Sequence, residues 1–251
     1  MKPFSRTLFS LIGAVTLTLV ACATDLHAAW TPLFNGKDLT GWVKRGGNAP
    51  FIIENGEIIG TVQHGTANTF LCTEKNYANF ILELEYNCHK DVNSGVQIRS
   101  EYNETDKSHT NLPPLPGKAK VRDKYKSRAK HVSGYQVEIE FAPGRTAGIY
   151  DEDRRNGWVY PAIGTDQDKE FCKQGIDPKI VKPGEWQKLR VEANGDSIKT
   201  YLDGVLRTDV KDSASDTGLI ALQIHAASKK DDGKQVRFRN IRIQELPATA
   251  K

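Results

Sequence analysis

The chain has few of the features that build metal centres, membrane spans or nucleic-acid surfaces. Its four cysteines and six histidines form no Cys-x-x-Cys pair and no cluster with metal-ligand spacing, which argues against a structural zinc site. After residue 20 no apolar run is long enough to predict a transmembrane helix. The net charge is only +4, so charge gives no reason to expect a nucleic-acid partner.

Residues 1–28 predict an export signal rather than part of a fold. A basic start precedes an uncharged apolar run at residues 8–20, which is too short to span a bilayer comfortably, and small residues follow. Residues 19–22, Leu-Val-Ala-Cys, also match a lipobox, in which Cys22 would be lipidated after cleavage; a later cut would leave a soluble protein. We therefore expect a periplasmic or outer-envelope protein, held to the membrane only by a lipid at Cys22, or else a secreted one.

Sustained helical periodicity is also missing, and short strand-like segments fill the rest of the chain. An Asn-Gly pair at residues 55–56 between two apolar runs predicts a tight hairpin. Residues 236–243 change their alternation at Arg239 and Asn240, which predicts a bulge, and residues 165–173 could form one or two helical turns. The pattern favours one all-β sandwich or jelly-roll domain at residues 29–247, followed by a short tail at 248–251.

Three of these segments place polar side chains on one face and apolar ones on the other. An ordinary solvated sheet face would explain this pattern, but such faces are usually rich in Lys, Thr and Ser. If the three polar faces lie on one sheet, a carboxylate, an imidazole, a guanidinium and several amides converge in a candidate sugar site. The polar residues are Gln97, Arg99, Gln136, Glu138, Glu140, Gln223 and His225.

The cysteines beyond the export segment are odd in number. Cys72 and Cys88 belong to neighbouring strand candidates and could form a disulfide, because export permits oxidation, and Cys172 would then be free.

A basic segment interrupts the strand pattern between residues 118 and 130. Lysine or arginine occupies every second position there, so a strand would align the charges on one face. That arrangement fits a clamp for an anionic ligand. A solvated loop over the mouth of the sheet is the alternative, and the mutual repulsion of the charges and the lack of an aromatic ladder favour it.

The order and spacing of several motifs resemble the family of 3-keto-glycoside lyase/hydratase domains, also described as 3-keto-disaccharide hydrolase domains. The resemblance extends over residues 30–246 and implies a concanavalin A-like jelly roll of two antiparallel sheets, exported to the bacterial cell envelope for sugar catabolism. Many relatives carry Glu and then Gln where this chain carries Gln136 and then Glu138. The motifs lie at residues 33–42, 93–99, 134–139, 148–158, 184–186, 222–225 and 239–243.

The chemistry that the resemblance implies is β-elimination. A ketone at C3 of the sugar acidifies the C2 proton, a base removes it, and the aglycone at C1 leaves; water then adds to the glucal, which gives net hydrolysis. Glu138 or His225 is the candidate base, His225 the candidate proton shuttle, and Arg99 the candidate partner of the enolate oxygen. The residues expected to bind the sugar are Gln97, Gln136, Glu140, Tyr150, Asp151, Trp158 and Gln223.

Other functions remain open at this point. No cofactor and no metal ligand set is expected, although Asp151, Glu152 and Asp153 could hold a divalent cation with a spacing unlike that of an EF-hand. The same sandwich also serves non-catalytic, lectin-like sugar-binding modules and structural domains, so fold alone does not establish an enzyme.

Overall fold

A computed structural model describes residues 29–116 and 124–247. The expected export signal and the lipobox at Cys22 lie outside these residues, as does the tail. Within the described ranges, no helix combines the length and the hydropathy needed to cross a membrane.

Two large antiparallel sheets make up the molecule, as the sequence predicts. The front sheet has the spatial order β12-β11-β10-β7-β16-β5-β2, and the back sheet has the order β15-β14-β13-β6-β17-β4-β3, with β1 beside β17; β8 and β9 form a separate hairpin. In chain order the strands are β1 (Thr31–Pro32), β2 (Trp42–Gly46), β3 (Phe51–Glu54), β4 (Glu57–Thr61), β5 (Thr69–Thr73), β6 (Phe80–Cys88), β7 (Ser94–Asn103), β8 (Lys107–His109), β9 (Tyr125–Ser127), β10 (His131–Ile139), β11 (Ile149–Glu152), β12 (Gly157–Tyr160), β13 (Gln187–Asn194), β14 (Ser197–Leu202), β15 (Val205–Lys211), β16 (Leu219–Ile224) and β17 (Gln235–Glu245).

The core lies between the sheets, because each strand turns its apolar alternate positions inward. Phe80, Leu82 and Leu84 of β6 are at most 1% exposed and share one cluster with Val96 of β7 and Val137 of β10. Burial of each such side chain contributes about 1.5–3 kcal/mol. The inward positions of the front sheet are thus committed to packing, which leaves its outer face for polar residues.

Local backbone signals in the sequence are confirmed at two places. Asn55 and Gly56 both have positive φ, of 53° and 77°, and join β3 to β4 in the predicted hairpin. The register of β17 against β6 shifts between Arg239 and Arg242, where Asn240 has a φ of 53°, so the predicted bulge is present.

The helical segment is longer than the one or two turns predicted. Helix α1 runs over Asp166–Gly175, and the Thr165 side chain caps it by accepting a hydrogen bond from the Asp168 amide. Gly175 packs against Gly144, where a Cβ would come within 1.7 Å of the Gly144 carbonyl oxygen. Tertiary packing of the last turn therefore extends a helix that the local apolar pattern does not reveal.

The predicted Cys72–Cys88 disulfide is wrong. Cys72 belongs to β5 of the front sheet and Cys88 to β6 of the back sheet, and both are buried free thiols. Cys172 is also a free thiol and is partly buried. Consecutive strands here belong to different sheets, so neighbourhood in sequence does not give neighbourhood in space. Burial raises the pKa of the Cys72 thiol to about 12.

Candidate functional site

The outer face of the front sheet gathers the polar residues of three strands. Gln97 of β7 lies opposite Gln136 of β10 on one side and opposite Ala221 of β16 on the other. Gln223 lies opposite Gly95 in the same register. Paired residues of antiparallel strands point to the same face, so the convergence predicted for Gln97, Gln136 and Gln223 is present.

A cavity of about 230 Å³ opens on this face. Strands β10, β11 and β12 supply one wall, and the residues just outside the paired ends of β7 and β16 supply the other. Its lining is Asn93, Gln136, Glu138, Glu140, Tyr150, Glu152, Trp158 and His225, with no lysine or arginine among these described residues.

A chain of side-chain hydrogen bonds fixes Glu138 at the cavity floor. The Ser100 hydroxyl donates to Gln97 Oε1 over 2.7 Å, Gln97 Nε2 donates to Gln136 Oε1 over 2.7 Å, and Gln136 Nε2 donates to Glu138 Oε1 over 2.8 Å. Gly95 leaves room for the Gln136 side chain, because a Cβ at residue 95 would come within 2.6 Å of Gln136 Cγ. Every donor in the chain points toward the carboxylate, so Glu138 Oε1 acts as an acceptor.

The other oxygen of Glu138 has no hydrogen-bond partner among the described residues. The residue is 5% exposed, and burial raises the pKa of its carboxyl well above the usual range, against the lowering effect of the Gln136 hydrogen bond. The charges of Glu140 and Glu152 raise the pKa of Glu138 further. A buried carboxyl without a cationic partner, in a polar cavity, has the environment of a proton-transfer group.

Two aromatic rings form a wall above this floor. The Tyr150 and Trp158 rings meet edge to face, with centroids 5.5 Å apart and an interplanar angle of 71°. The Arg145 guanidinium lies 5.1 Å from the Trp158 centroid and is itself held by two hydrogen bonds to Asp168, of 3.1 and 3.2 Å. Burial raises the pKa of Tyr150 to about 12, so its hydroxyl remains a hydrogen-bond donor at neutral pH.

Glu152 and His225 lie on opposite sides of the cavity and are linked through Asn68. Asn68 Nδ2 donates to Glu152 Oε1 over 3.2 Å, and Asn68 Oδ1 accepts from the Ala226 amide over 2.8 Å, next to His225. His131 Nε2 also lies 3.0 Å from Glu152 Oε1. These contacts fix the ends of β11 and β16 relative to each other, and hence the width of the cavity.

Comparison with known proteins identifies the family of this domain. A family model described as the 3-keto-alpha-glucoside-1,2-lyase-like domain matches residues 29–244. The chain belongs to this family. A comparison with curated proteins gives no match.

Solved structures share the fold of this lyase-like domain. A Parabacteroides distasonis protein, named as a suspected glycosyl hydrolase, is 20% identical with a TM-score of 0.52, over 87% of this chain and 94% of its own. A Bacillus subtilis protein of unknown function with a galectin-like fold is 9% identical with a TM-score of 0.53, over 88% of this chain and 96% of its own. At such identities the likeness concerns the fold alone, and it confirms the jelly-roll prediction.

The lyase-like domain departs from the sequence expectation at Arg99, which lies outside the cavity. Arg99 Nε donates to the Ala78 carbonyl over 2.7 Å, and its two terminal nitrogens donate to Gly195 O over 2.6 Å and Asn79 Oδ1 over 3.1 Å. The register of β7 shifts here and Arg99 has a φ of 46°, so strict alternation ends after Ile98. Ser100 takes the polar-face position that the sequence assigns to Arg99.

Asp151 is also misplaced by the sequence expectation. It lies opposite Tyr135, on the core side of β11, and is fully buried in ion pairs with Arg154, at 2.9 Å, and Arg155. Tyr150 and Asp151 are consecutive, so they cannot share a face of the strand. The same period of two identifies Glu152 as the residue that faces the cavity with Tyr150, although the prediction named Asp151.

The remaining predicted residues divide between the lining and the layer beneath it. Gln97 and Gln223 are 0% exposed and lie below the cavity, and neither amide atom of Gln223 has a partner among the described residues. Asn93 lines the cavity although the sequence did not predict it. Ser94 and Ile224 are the last paired residues of β7 and β16, so Asn93 lies opposite His225, and this register could have identified it. No group of three or more His, Cys, Asp or Glu in the described ranges could hold a metal ion.

Proposed function

We propose that this domain cleaves 3-keto-glycosides by removing the C2 proton and eliminating the aglycone, with hydration of the glucal completing a net hydrolysis. Family membership supports the substrate class. The observation that carries the proposal is Glu138, a buried carboxyl oriented through Oε1 and unpartnered at Oε2 on the floor of a sugar-sized cavity.

Glu138 is the base in this proposal. Burial makes its carboxylate a stronger base than an exposed one, which suits removal of a proton acidified by the neighbouring C3 ketone. The Gln136 hydrogen bond occupies Oε1, so Oε2 takes the proton. A positioned base of this kind typically contributes about 10²–10⁴ in rate.

The developing enolate oxygen would be stabilised by hydrogen-bond donors of the cavity lining and not by the guanidinium of Arg99. Arg99 lies elsewhere, and the lining offers Tyr150, Asn93 and His225. When the enolate collapses, the C1–O bond breaks and the glycosidic oxygen takes a proton, for which His225 of the lining is the candidate donor through a ring N–H. Water then adds its oxygen at C1 and gives one proton to His225, and Glu138 returns its proton to C2.

The walls of the cavity would bind the sugar itself. The Tyr150 and Trp158 rings offer an apolar surface to the C–H face of a pyranose, while Glu140, Glu152 and Asn93 offer acceptors or donors to its hydroxyls. Glu140 also has a buried oxygen without a partner among the described residues.

A conventional hydrolysis with two carboxylates fits this cavity less well. Glu138 and Glu140 are two residues apart on the same segment, so their Cβ atoms are about 7 Å apart by strand rise. Both would approach a sugar from the same side, whereas an acid and a nucleophile must flank the scissile bond.

The test compares a 3-keto-disaccharide with its unoxidised parent, using purified protein and product analysis by mass spectrometry and NMR. We expect the unmodified protein to cleave the keto-sugar alone, through a 2-hydroxy-glucal intermediate. In Glu138→Gln, kcat should fall at least a hundredfold, because a positioned base typically contributes about 10²–10⁴ in rate. Glu54→Gln is the matched control, because Glu54 is exposed on β3 of the back sheet. Turnover of the parent sugar would point to ordinary glycosidase chemistry, and calorimetric binding without product would point to a lectin-like module.

A further inference from the structure

A second cavity lies beside the turn that joins β11 to β12. It has a volume of about 330 Å³ and is lined by Lys124, Tyr125, Lys126, Arg154, Arg155 and Asn156. Four of these residues are cationic and none is acidic. None of the six lines the sugar cavity. The proposed glycoside reaction therefore gives them no role.

The two arginines already have counter-ions, whereas the two lysines do not. Asp151 pairs with Arg154 and Arg155, and Asp212 pairs with Arg155 at 2.9 Å, so two buried carboxylates balance two buried guanidinium groups. Lys124 and Lys126 are exposed and form no ion pair within the described residues. The nearby carboxylate of Asp153 pairs with Arg128 at 2.6 Å. Within the described residues, the cavity thus carries two positive charges that no carboxylate compensates.

Arg154 adds a buried donor that the protein leaves unused. The residue is 5% exposed; its Nε donates to Asp151 Oδ1 over 2.9 Å, and its Nη1 donates to the Ala214 carbonyl over 3.1 Å. Its Nη2 has no partner among the described residues. Buried side-chain donors are almost always satisfied in folded proteins, so this nitrogen marks a position where an acceptor belongs.

We propose that this cavity binds a small oxyanion, namely a carboxylate, sulfate or phosphate group. Arg154 would donate through Nη2, in the planar geometry that guanidinium offers to oxyanions, and the two lysines would add charge. Lys124 lies just before β9 and Lys126 within it, two residues apart, so they share one side of the segment, which is the arrangement of the clamp alternative for the basic segment. The volume is at the lower end of small-molecule sites, which favours a free anion or a single anionic sugar over a polymer.

The experiment is calorimetric titration of the full chain with three probes: inorganic phosphate, inorganic sulfate and glucuronate. We expect saturable binding of one equivalent of at least one probe, weakened by added sodium chloride, and the order of affinities identifies the anionic group. Lys124→Gln and Lys126→Gln should each weaken the Kd about two- to fivefold, as neutralising an exposed charge does. Arg154→Lys keeps the charge but removes Nη2, and should weaken the Kd about tenfold.

The control is Lys37→Gln, which removes an exposed lysine that does not line the cavity. Its affinity should equal that of the unmodified protein. The proposal is overturned if none of the three probes binds, or if the Lys124→Gln/Lys126→Gln double variant binds as tightly as the unmodified chain. The lysine variants carry the test even if Arg154→Lys misfolds, because both lysines are exposed. Binding is measured without glycoside turnover, so this result is independent of the proposed enzyme activity.

Discussion

Replacing Gln136 by leucine tests whether the hydrogen-bond chain sets the proton affinity of Glu138. The substitution keeps the side-chain size and removes the only side-chain donor to Glu138 Oε1 among the described contacts. The carboxylate then stays buried beside Glu140 and Glu152 without the one interaction that lowers its pKa. The pKa of Glu138 should therefore rise further.

The size of the shift follows from the lost bond. A hydrogen bond to a charged group contributes about 1.5–3 kcal/mol net. One pKa unit corresponds to about 1.4 kcal/mol, so the shift is about 1 to 2 units. Glu138 acts as a base only when it is ionised. The rising limb of the pH profile of kcat/KM should thus move to higher pH in Gln136→Leu.

The assay is the pH dependence of 3-keto-disaccharide cleavage by the unmodified protein, by Gln136→Leu and by Gln97→Leu. Gln97 contacts Glu138 only through Gln136, so its removal should shift the same limb in the same direction by a smaller amount. A loss of activity that is equal at every pH would refute the reasoning, because it would show that Gln136 positions the sugar or the sheet and does not tune the carboxyl.

Four further outcomes are expected. In thermal melts, Glu138→Gln should become more stable relative to the unmodified protein as the pH rises. The pKa of Glu138 is raised in the folded state, so the unmodified protein loses stability as the pH rises through that folded-state pKa, whereas glutamine does not ionise. Arg99→Lys should lower the free energy of unfolding by about 2–3 kcal/mol in urea titrations while leaving kcat unchanged, since its three hydrogen bonds join loops outside the cavity. Trp158→Ala should raise KM about tenfold with a smaller effect on kcat, if the ring contributes about 1.4 kcal/mol of sugar contact. Intact-mass analysis of the exported protein should show a lipid at Cys22; a mass for an unmodified chain beginning near residue 29 would contradict the lipobox.

The sequence predicts the fold and much of the site because period-two alternation is local information. Gln136 and Glu138 share a face through the pleat of one strand, and Gln223 has the same relation to His225. Which strands are neighbours is not local, and the sequence places Cys72 and Cys88 together although they belong to different sheets. Pairing of distant strands is decided by the whole core, which no single segment encodes.

The two misplaced site residues have different physical origins. At Arg99 the alternation itself fails, because a residue with positive φ shifts the register of β7 against both of its neighbours. The glycines that make room for this bulge, Gly134 and Gly218, belong to other segments, so the sequence of β7 itself carries no signal for it. At Asp151 the alternation holds, and it places this residue on the core side of β11. Tyr150 and Glu152 face the cavity, as counting by two requires, while the residue between them faces the core.

Strand β11 then explains why charged residues are so dense between Tyr150 and Arg155. Its outward residues serve the sugar cavity, and its inward Asp151 anchors two arginines from the turn that follows. Arg155 is fully used by Asp151, Asp212 and the Pro113 carbonyl, so it is a structural lock. Arg154 is held at two nitrogens and open at a third. The lock fixes the backbone that presents Glu152, and Arg154 lines the basic cavity, so one short strand and the turn after it position residues of both proposed sites.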